Sequence, residues 1–428
     1  MEVLILVITF IILLGIGVPI AWSIGISSVL TMLVSIPMVP AFTTVAQRMA
    51  TGLDSFSLLA IPFFVLAGQI MNRGGIAKRL IDFAKTLVGA LPGGLAHVNI
   101  IAAMLFGAIA GSAVAAASAL GSMLGKRMED EGYSKEFATA VNVTSSTTGL
   151  IIPPSNVLIV YSLASGGVSI AALFLAGYLP GILTGLLLMI VAAIWAKRKK
   201  FPVGERSKLK DIGSTFLAAL PSLLLLVVII GGIVAGIFTA TEASAVAVLY
   251  CLVLAYIYKE MTGPELLKVL QSSVATTAIV MLLIGTSMSM SWIMAYENIP
   301  QNITEFMLSI SDNPFVILLI INLLLLFVGI FMDMTPAVLI FTPIFLPVVT
   351  NLGMDPTHFG IVMVLNLCIG LCTPPVGSVL FVGVGVSGTT IQKVIRPLMP
   401  LFIAMLISLM IVTYVPALSL WLPGLFGL

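Results

Sequence analysis

The sequence predicts an all-α protein that crosses a membrane several times and contains two repeats of inverted topology. Of its 428 residues, 60% are hydrophobic and 8% are charged, whereas soluble proteins carry about 25% charged residues. Two Pro–Pro pairs interrupt long apolar segments at corresponding places in the two halves of the chain. Lys and Arg collect in loops that fall on one side of the membrane only when the second half is inverted.

The first repeat is predicted to cover residues 1–196. In order, we expect two spans, an interfacial stretch, a third span and an amphipathic interfacial helix, followed by a re-entrant hairpin, a broken helix and a last span. Their predicted bounds are residues 3–17, 20–36, 37–51, 55–71, 73–90, 94–126, 137–164 and 170–195.

A polar, basic stretch at residues 197–213 is the predicted cytoplasmic connector, and the second repeat follows as residues 214–428. We expect the same order of elements there, again with a re-entrant hairpin and a broken helix. Their predicted bounds are residues 216–237, 243–258, 274–295, 298–312, 314–351, 357–387 and 398–418. Each repeat has an odd number of crossings, so the second must be inverted.

The basic residues test this topology independently, because short cytoplasmic loops collect Lys and Arg. Of the 19 Lys and Arg residues, all except Arg48 fall in loops predicted to be cytoplasmic: residues 73–91, 126–136, 197–210, 259–268 and 393–396. The predicted outer stretch instead carries Glu297, Glu305 and Asp312. Both termini are therefore predicted to face outward.

The hairpins are predicted from small and polar residues within apolar segments. Gly107 and residues 111–112 interrupt the first segment, while Gly329 and residues 333–336 interrupt the second. A single plain span, rich in small residues for helix packing, is the alternative for the first segment. The similar order of elements in the two halves favours a hairpin over a single span for this segment.

The broken helices are predicted from residues 149–155 and 370–377, each with two adjacent prolines. Proline lacks a backbone N–H, so we expect the carbonyls of Gly370 and Leu371 to lose their helical partners. Such groups are tolerated at membrane depth only where protein, water or an ion satisfies them. Broken helices at matching places in two halves indicate a transporter binding site.

Carbonyls at the C-terminal ends of half-helices suit Na⁺, and amides at their N-terminal ends suit a carboxylate. The residues predicted to form a first Na⁺ site are Gly111, Ser112, Gly149, Ile152 and Ser155. Those predicted to form a second Na⁺ site are Gly329, Asp333, Gly370, Thr373 and Val376. Those predicted to bind substrate are Ser112, Ser155, Asn156, Asp333 and Thr335.

Several of these assignments have a structural alternative. Asp333 is an acid inside a hairpin, which usually marks an ion or substrate path, but it could instead cap a half-helix. The hydroxyls of residues 145–148 line the first break or serve packing alone. Arg48 meets substrate or a partner, or extends to lipid headgroups. Cys251, Cys368 and Cys372 are expected to be small buried hydrophobic residues.

Other function classes find little support in the sequence. Residues 121–127 come nearest to a phosphate-binding loop, but the spacing and the Ser or Thr of that motif are missing. No acid pair, Ser/His pair or histidine cluster indicates an intramembrane protease, so we do not expect an enzyme. A channel remains an alternative to a transporter.

The segment DSFSLLAIPFF at residues 54–64, the 111–112 hairpin and both proline breaks resemble the large membrane subunit of tripartite ATP-independent periplasmic (TRAP) transporters. The resemblance covers essentially the whole chain. It implies a Na⁺-driven importer of organic acids such as C4-dicarboxylates and sialic acids, located in the bacterial inner membrane. It also implies an elevator mechanism, with a scaffold and a mobile transport domain formed by hairpins and broken helices.

The resemblance implies two partners, a small four-helix membrane subunit and a periplasmic substrate-binding protein. The hydroxyl-rich residues 145–156 favour a sialic acid as substrate. A self-sufficient Na⁺-coupled dicarboxylate symporter, which needs no binding protein, is the alternative within the transporters.

Overall fold

The computed structural model describes residues 2–73, 75–204, 208–311 and 313–428, without the side chains of residues 77 and 108–110. All regular secondary structure in these ranges is helical, which confirms the all-α prediction. Eight of the described helices are long and apolar enough to cross a membrane. Arg206 and Asp312, which contributed to the predicted charge pattern, lie outside the described residues.

The helices of the first half follow the predicted order. Gly17, with a φ of +86°, separates the first two helices, and Pro19 precedes the second. A 3₁₀ turn, Phe56–Leu59, leads into α4, and a π-helical turn, Gly121–Gly125, follows α7. The helices are α1 Glu2–Gly15, α2 Ile20–Ser35, α3 Met38–Leu53, α4 Ala60–Arg73, α5 Ile76–Val88, α6 Gly94–Ala110, α7 Ala113–Leu120, α8 Lys126–Asp130, α9 Lys135–Thr148, α10 Asn156–Ala164 and α11 Ile170–Lys199.

The second half repeats this order with two departures. The helices are α12 Leu209–Val234, α13 Ala240–Tyr258, α14 Gly263–Tyr296, α15 Ile299–Ile310, α16 Pro314–Phe331, α17 Met334–Asn351, α18 Pro356–Gly370, α19 Ser378–Ser387, α20 Ile391–Tyr414 and α21 Ala417–Leu425. The start of α14 near residue 274 was wrong, because the Thr262 N–H donates to Glu265 (2.8 Å) in a capping box. The predicted last span is present as α20, but its end at residue 418 was wrong, since the helix ends before Pro416 and the short helix α21 follows.

Both predicted hairpins contain a short interruption between two helices. In the first, α6 ends at Gly111, which has a φ of +62°, and α7 starts after Ser112. In the second, α16 and α17 are separated by Met332 and Asp333. Gly107 and Gly329 do not interrupt their helices, so that part of the prediction was wrong.

Gly107 and Gly329 instead permit close approach of a hairpin to a broken helix. A Cβ added to Gly107 would lie 2.6 Å from the Cα of Gly149, and one added to Gly370 would lie 2.6 Å from the Cα of Gly329. A real Cβ does not approach backbone this closely. In each half, therefore, the first hairpin helix packs backbone to backbone against the end of a broken helix.

A buried polar bridge accompanies each of these glycine contacts. In the first half, the Ser145 hydroxyl donates to the Asn99 side-chain oxygen (3.2 Å). In the second, the Asn366 amide donates to the side-chain oxygen of Asn322 (2.7 Å), whose own amide donates to Thr413 (3.1 Å). The two halves thus share their hairpin contacts, while the inversion of one half relative to the other stays a prediction.

Both broken helices are interrupted at their proline pairs, as predicted. Residues 149–155 separate α9 from α10, and residues 371–377 separate α18 from α19. The carbonyls of Gly370 and Leu371 lose their helical partners, as predicted, and the protein itself satisfies them. The Gly370 carbonyl accepts from the Thr373 N–H (2.9 Å), and the Leu371 carbonyl accepts from the Val379 N–H (3.2 Å). The chain folds back after the prolines and satisfies its own backbone.

Substituting Gly370 by alanine tests the contact between hairpin and broken helix. The added methyl group meets the Gly329 backbone, so we expect the free energy of unfolding to fall by about 1–3 kcal/mol. Gly385→Ala in α19 is the control, because nothing lies within 4 Å of its Cβ position; it gains about 0.5–1 kcal/mol of helix propensity. Thermal unfolding in detergent measures both, and equal midpoints for the two variants would contradict the contact.

Candidate functional site

The first candidate site lies where the hairpin tip meets the first break. The Cβ position of Gly111 is 2.5 Å from the Asn156 side-chain nitrogen, so the tip and the start of α10 are in direct contact. The Ser112 hydroxyl accepts a hydrogen bond from the Ala115 N–H (3.2 Å) and caps α7. Ser112 and Asn156 are both half-buried. The structure therefore brings together the predicted residues of the tip and of α10.

Two polar atoms at this junction have no hydrogen-bond partner among the described residues. They are the Ser155 hydroxyl oxygen and the Asn156 side-chain oxygen, and both atoms are buried. Ser155 as a whole is 1% exposed. Burying an unpaired polar group costs about 1–3 kcal/mol, so these two oxygens are available acceptors for a ligand.

The other two residues predicted for this site serve packing as well. Gly149 lies against Gly107, as described above. The Ile152 side chain packs onto Gly181 of α11, and the Ile151 carbonyl oxygen packs onto Gly177 one turn earlier. The glycines of α11 thus let the first break sit directly on this helix. Residues 151–155 are all buried.

The second candidate site is built in the same way but is more open. The Gly377 N–H donates to the Ile330 carbonyl (3.2 Å), which ties the second break to the second hairpin. The Thr373 hydroxyl donates to the Ile369 carbonyl (2.7 Å). Val376 is 37% exposed. The second break therefore faces an accessible space, whereas the first is enclosed.

Asp333 lies at the tip of the second hairpin, immediately before α17. It occupies the N-cap position, but its side chain makes no capping hydrogen bond. The residue is exposed, and Thr335 beside it is half-buried. The Met334 N–H, the first amide of α17, interacts with this carboxylate, so Asp333 faces the start of the helix and remains accessible to a ligand.

The hydroxyls of residues 145–148 do not line a cavity, contrary to one of the two interpretations above. All four residues are 0% exposed. Ser145 bonds to Asn99, and the other three donate to carbonyls of their own helix at 2.6–2.9 Å. Hydroxyls in helices often bond backward in this manner, so these residues serve packing.

The two broken helices cross each other directly, a contact that the sequence did not reveal. The Cys368 thiol lies 3.2 Å from the Thr147 carbonyl, and the Cys372 thiol lies 3.5 Å from the Val143 carbonyl. Both cysteines are 0% exposed, which confirms that they are small buried residues. Their spacing of four residues, from α18 into the second break, was the available signal.

Four half-helices begin at these interruptions: α7, α10, α17 and α19. The hairpin helix α7 packs against α19 of the other half, and α17 packs against α10. Each N-terminus exposes backbone amides and a partial positive charge, which favours an anion. Among the described residues, no group of three or more His, Cys, Asp or Glu side chains could hold a metal ion. An ion at this site would thus depend on hydroxyl, amide and carbonyl oxygens together with Asp333.

A family model described as "Tripartite ATP-independent periplasmic transporter, DctM component" matches residues 7–418. The chain is 58% identical over 419 residues to "Uncharacterized protein YgiK" of Salmonella typhimurium, covering 98% of this chain and 96% of that protein. It is 42% identical over 407 residues to the C4-dicarboxylate TRAP transporter large permease protein DctM of Pseudomonas aeruginosa, covering 95% of each. It is also 42% identical over 386 residues to the sialic acid TRAP transporter large permease protein SiaM of Vibrio cholerae, covering 89% of each.

A solved structure shares the fold at low sequence identity. The YdaH transporter of Alcanivorax borkumensis superposes with a TM-score of 0.65 at 14% identity, covering 90% of this chain and 88% of that one. The likeness shows that the two chains share a fold.

Proposed function

The chain belongs to the DctM family as the large permease subunit of a TRAP transporter, and we propose that it is a Na⁺-coupled importer of organic acids. In this proposal the hairpins and broken helices form a transport domain that moves as an elevator against a scaffold. The scaffold contains the remaining spans and the interfacial helices. The inner membrane is the proposed location, with both termini outside.

The packing of the four half-helices in pairs across the two halves, α7 with α19 and α10 with α17, carries this proposal. Amides at the N-termini of α7, α10, α17 and α19 suit a substrate carboxylate. Na⁺ would be held by oxygen atoms at the same breaks, with Ser155 and Asn156 on the first side and Asp333 on the second. The buried, unpaired oxygens of Ser155 and Asn156 are the observation that points to a cation.

Coupling follows from the shared structure of the two sites. A Na⁺ ion between a hairpin tip and a break would fix the tip against the broken helix. The same tip carries residues proposed for the substrate, so each ligand would raise the affinity for the other by the same factor. Direct contact of Gly111 with Asn156 supplies the physical link on the first side.

A substrate with a carboxylate is the class we propose, without a preference between dicarboxylates and sialic acids. The argument for sialic acid depended on a hydroxyl-rich lining at residues 145–156, and of these the hydroxyls of residues 145–148 are bonded to Asn99 or to carbonyls of α9. Relatives named for C4-dicarboxylate and for sialic acid are equally similar at 42% identity.

The proposed partners are a small four-helix membrane subunit and a periplasmic binding protein, as the word tripartite in the family description suggests. Much of the chain's surface is apolar, including Trp22 at 56% exposed and Val39 at 77% exposed. This surface would contact either lipid or the small subunit.

Uptake into proteoliposomes tests the proposed function. We expect labelled succinate or N-acetylneuraminate to accumulate only with an inward Na⁺ gradient, the small subunit and the cognate binding protein. Asp333→Asn removes the accessible carboxylate at the hairpin tip, and we expect uptake to fall at least about tenfold, with little change in unfolding temperature because the residue is exposed.

The other outcomes of this experiment decide between the alternatives. Uptake by the chain without a binding protein would identify a self-sufficient symporter, and flux without Na⁺ dependence would identify a channel. Full activity of the Asp333→Asn variant would remove Asp333 from the site.

Replacing Ser155 by alanine tests the first Na⁺ site separately. If the Ser155 oxygen binds Na⁺, the variant loses about tenfold in Na⁺ affinity, or about 1.4 kcal/mol. The increase of the unfolding temperature in NaCl over choline chloride at equal ionic strength measures this. Ser419→Ala is the matched control, since its hydroxyl is also buried and unpaired but lies in α21. An equal Na⁺ effect in both variants would contradict a role for Ser155.

A further inference from the structure

Arg48 lies in a cavity at the boundary between the proposed scaffold and the proposed transport domain. The cavity has a volume of about 400 Å³ and is lined on one side by residues of α3 and α14 and on the other by Leu163, near the end of α10. Small-molecule sites typically occupy about 300–1,000 Å³. This is the one Lys or Arg residue that the charge pattern places outside.

The position of the Arg48 side chain is fixed by packing. Ala41 and Val45, seven and three residues earlier in α3, are buried against α14, so Arg48 lies on the same face of the helix. Its guanidinium carbon is 5.5 Å from the ring centroid of Trp292 on α14, within the range of a cation–π contact. The Ser289 hydroxyl donates to the Val45 carbonyl (3.3 Å) and joins the two helices close by. Arg48 therefore points away from the exposed apolar face of α3.

The cavity offers hydrogen-bond donors without an acidic partner. Within the described parts of the chain, Arg48 forms no ion pair, and the hydroxyls of Ser55 and Ser291, which also line the cavity, bond to no other group. Glu297, the residue after α14, already accepts from the Ser35 hydroxyl (2.8 Å), and Asp54, the residue after α3, forms no ion pair with Arg48 among the described residues. A planar guanidinium with free N–H groups matches the two oxygens of a carboxylate.

We propose that Arg48 forms an outer carboxylate-binding subsite, at which an organic acid binds before it reaches the breaks. The subsite rests on the proposed function. Ser155 lies eight residues before Leu163 along α10, which is about 12 Å of helix. A second cavity of about 300 Å³ shares Ser55 and Leu163 with the first and continues along α10 to Ser162. The substrate would then pass along α10 from Arg48 toward the break.

The fluorescence of Trp292 reports on this subsite without any transport. In a variant with Trp22, Trp195 and Trp421 replaced by phenylalanine, Trp292 is the remaining tryptophan of the four. We expect succinate or N-acetylneuraminate to change its emission saturably in phosphatidylcholine nanodiscs, because the anion draws the guanidinium off the ring. Arg48→Gln weakens the response at least about tenfold, and Arg48→Lys weakens it less.

A lipid phosphate is the other anion that could occupy the cavity, and two arms of the experiment separate the sources. The first replaces phosphatidylcholine by phosphatidylglycerol. The second moves the positive charge by combining Arg48→Gln with Thr43→Arg, which puts an arginine on an exposed position about 140° around α3 and about 7.5 Å along it. In this double variant we expect that succinate and N-acetylneuraminate still do not change the emission of Trp292.

Uptake measurements connect the subsite to transport. We expect Arg48→Gln to raise the apparent KM for substrate about tenfold while the Na⁺ dependence stays unchanged. A Trp292 response to phosphatidylglycerol alone, or recovery of uptake by Thr43→Arg, would overturn the proposal in favour of a headgroup contact. If the unmodified chain, with its small subunit and binding protein, transports neither acid, the proposed function is refuted instead. The titration of Trp292 emission would then still show whether Arg48 binds a carboxylate.

Discussion

The arrangement of this protein depends on how backbone groups at helix interruptions are satisfied away from water. A proline pair removes two N–H donors from a helix, and lipid offers no replacement. In the second half, the Leu371 carbonyl accepts from Val379, and the Ile330 carbonyl of the hairpin accepts from Gly377. The break is therefore closed partly by its own chain and partly by the hairpin, so neither element is complete alone.

This constraint explains why the glycines are placed as they are. Two packed helices bring their backbones into contact only where no Cβ intervenes, and Gly107 faces Gly149 as Gly329 faces Gly370. Because these contacts hold the hairpin tips beside the breaks, they also place the start of α7 beside that of α10, where Gly111 meets Asn156, and tie the start of α19 to the end of α16. The candidate site is thus a consequence of the same packing that makes the interruptions tolerable.

The sequence predicted what is local and missed what is tertiary. Missing N–H groups located both breaks, and the small residues at 111–112 located the first hairpin tip, since these effects act within one turn. Gly107 and Gly329 were interpreted as interruptions, because a glycine that weakens a helix and one that admits a neighbour look identical in sequence. The bridges from Asn99 to Ser145 and from Asn322 to Asn366 join residues far apart in the chain, so periodicity could not reveal them.

The two halves are similar, but the first break is buried and the second break is partly exposed. Gly177 and Gly181 of α11 receive the first break, and residues 151–155 are buried, while Val376 in the second break is exposed. Asp333 is exposed as well. In the proposed mechanism, the enclosed first break suits a retained ion and the open second break suits an exchanging substrate.

The inverted relation of the halves is the central claim, because it brings one hairpin into the membrane from each side. Single cysteines at Asp130, after the first hairpin, and at Asn351, after the second, test it in a chain whose native cysteines are replaced. Both positions are exposed. With a membrane-impermeant maleimide on intact spheroplasts, the account predicts labelling at 351 and protection at 130 until the membrane is permeabilised. Labelling of both positions from the same side would contradict it.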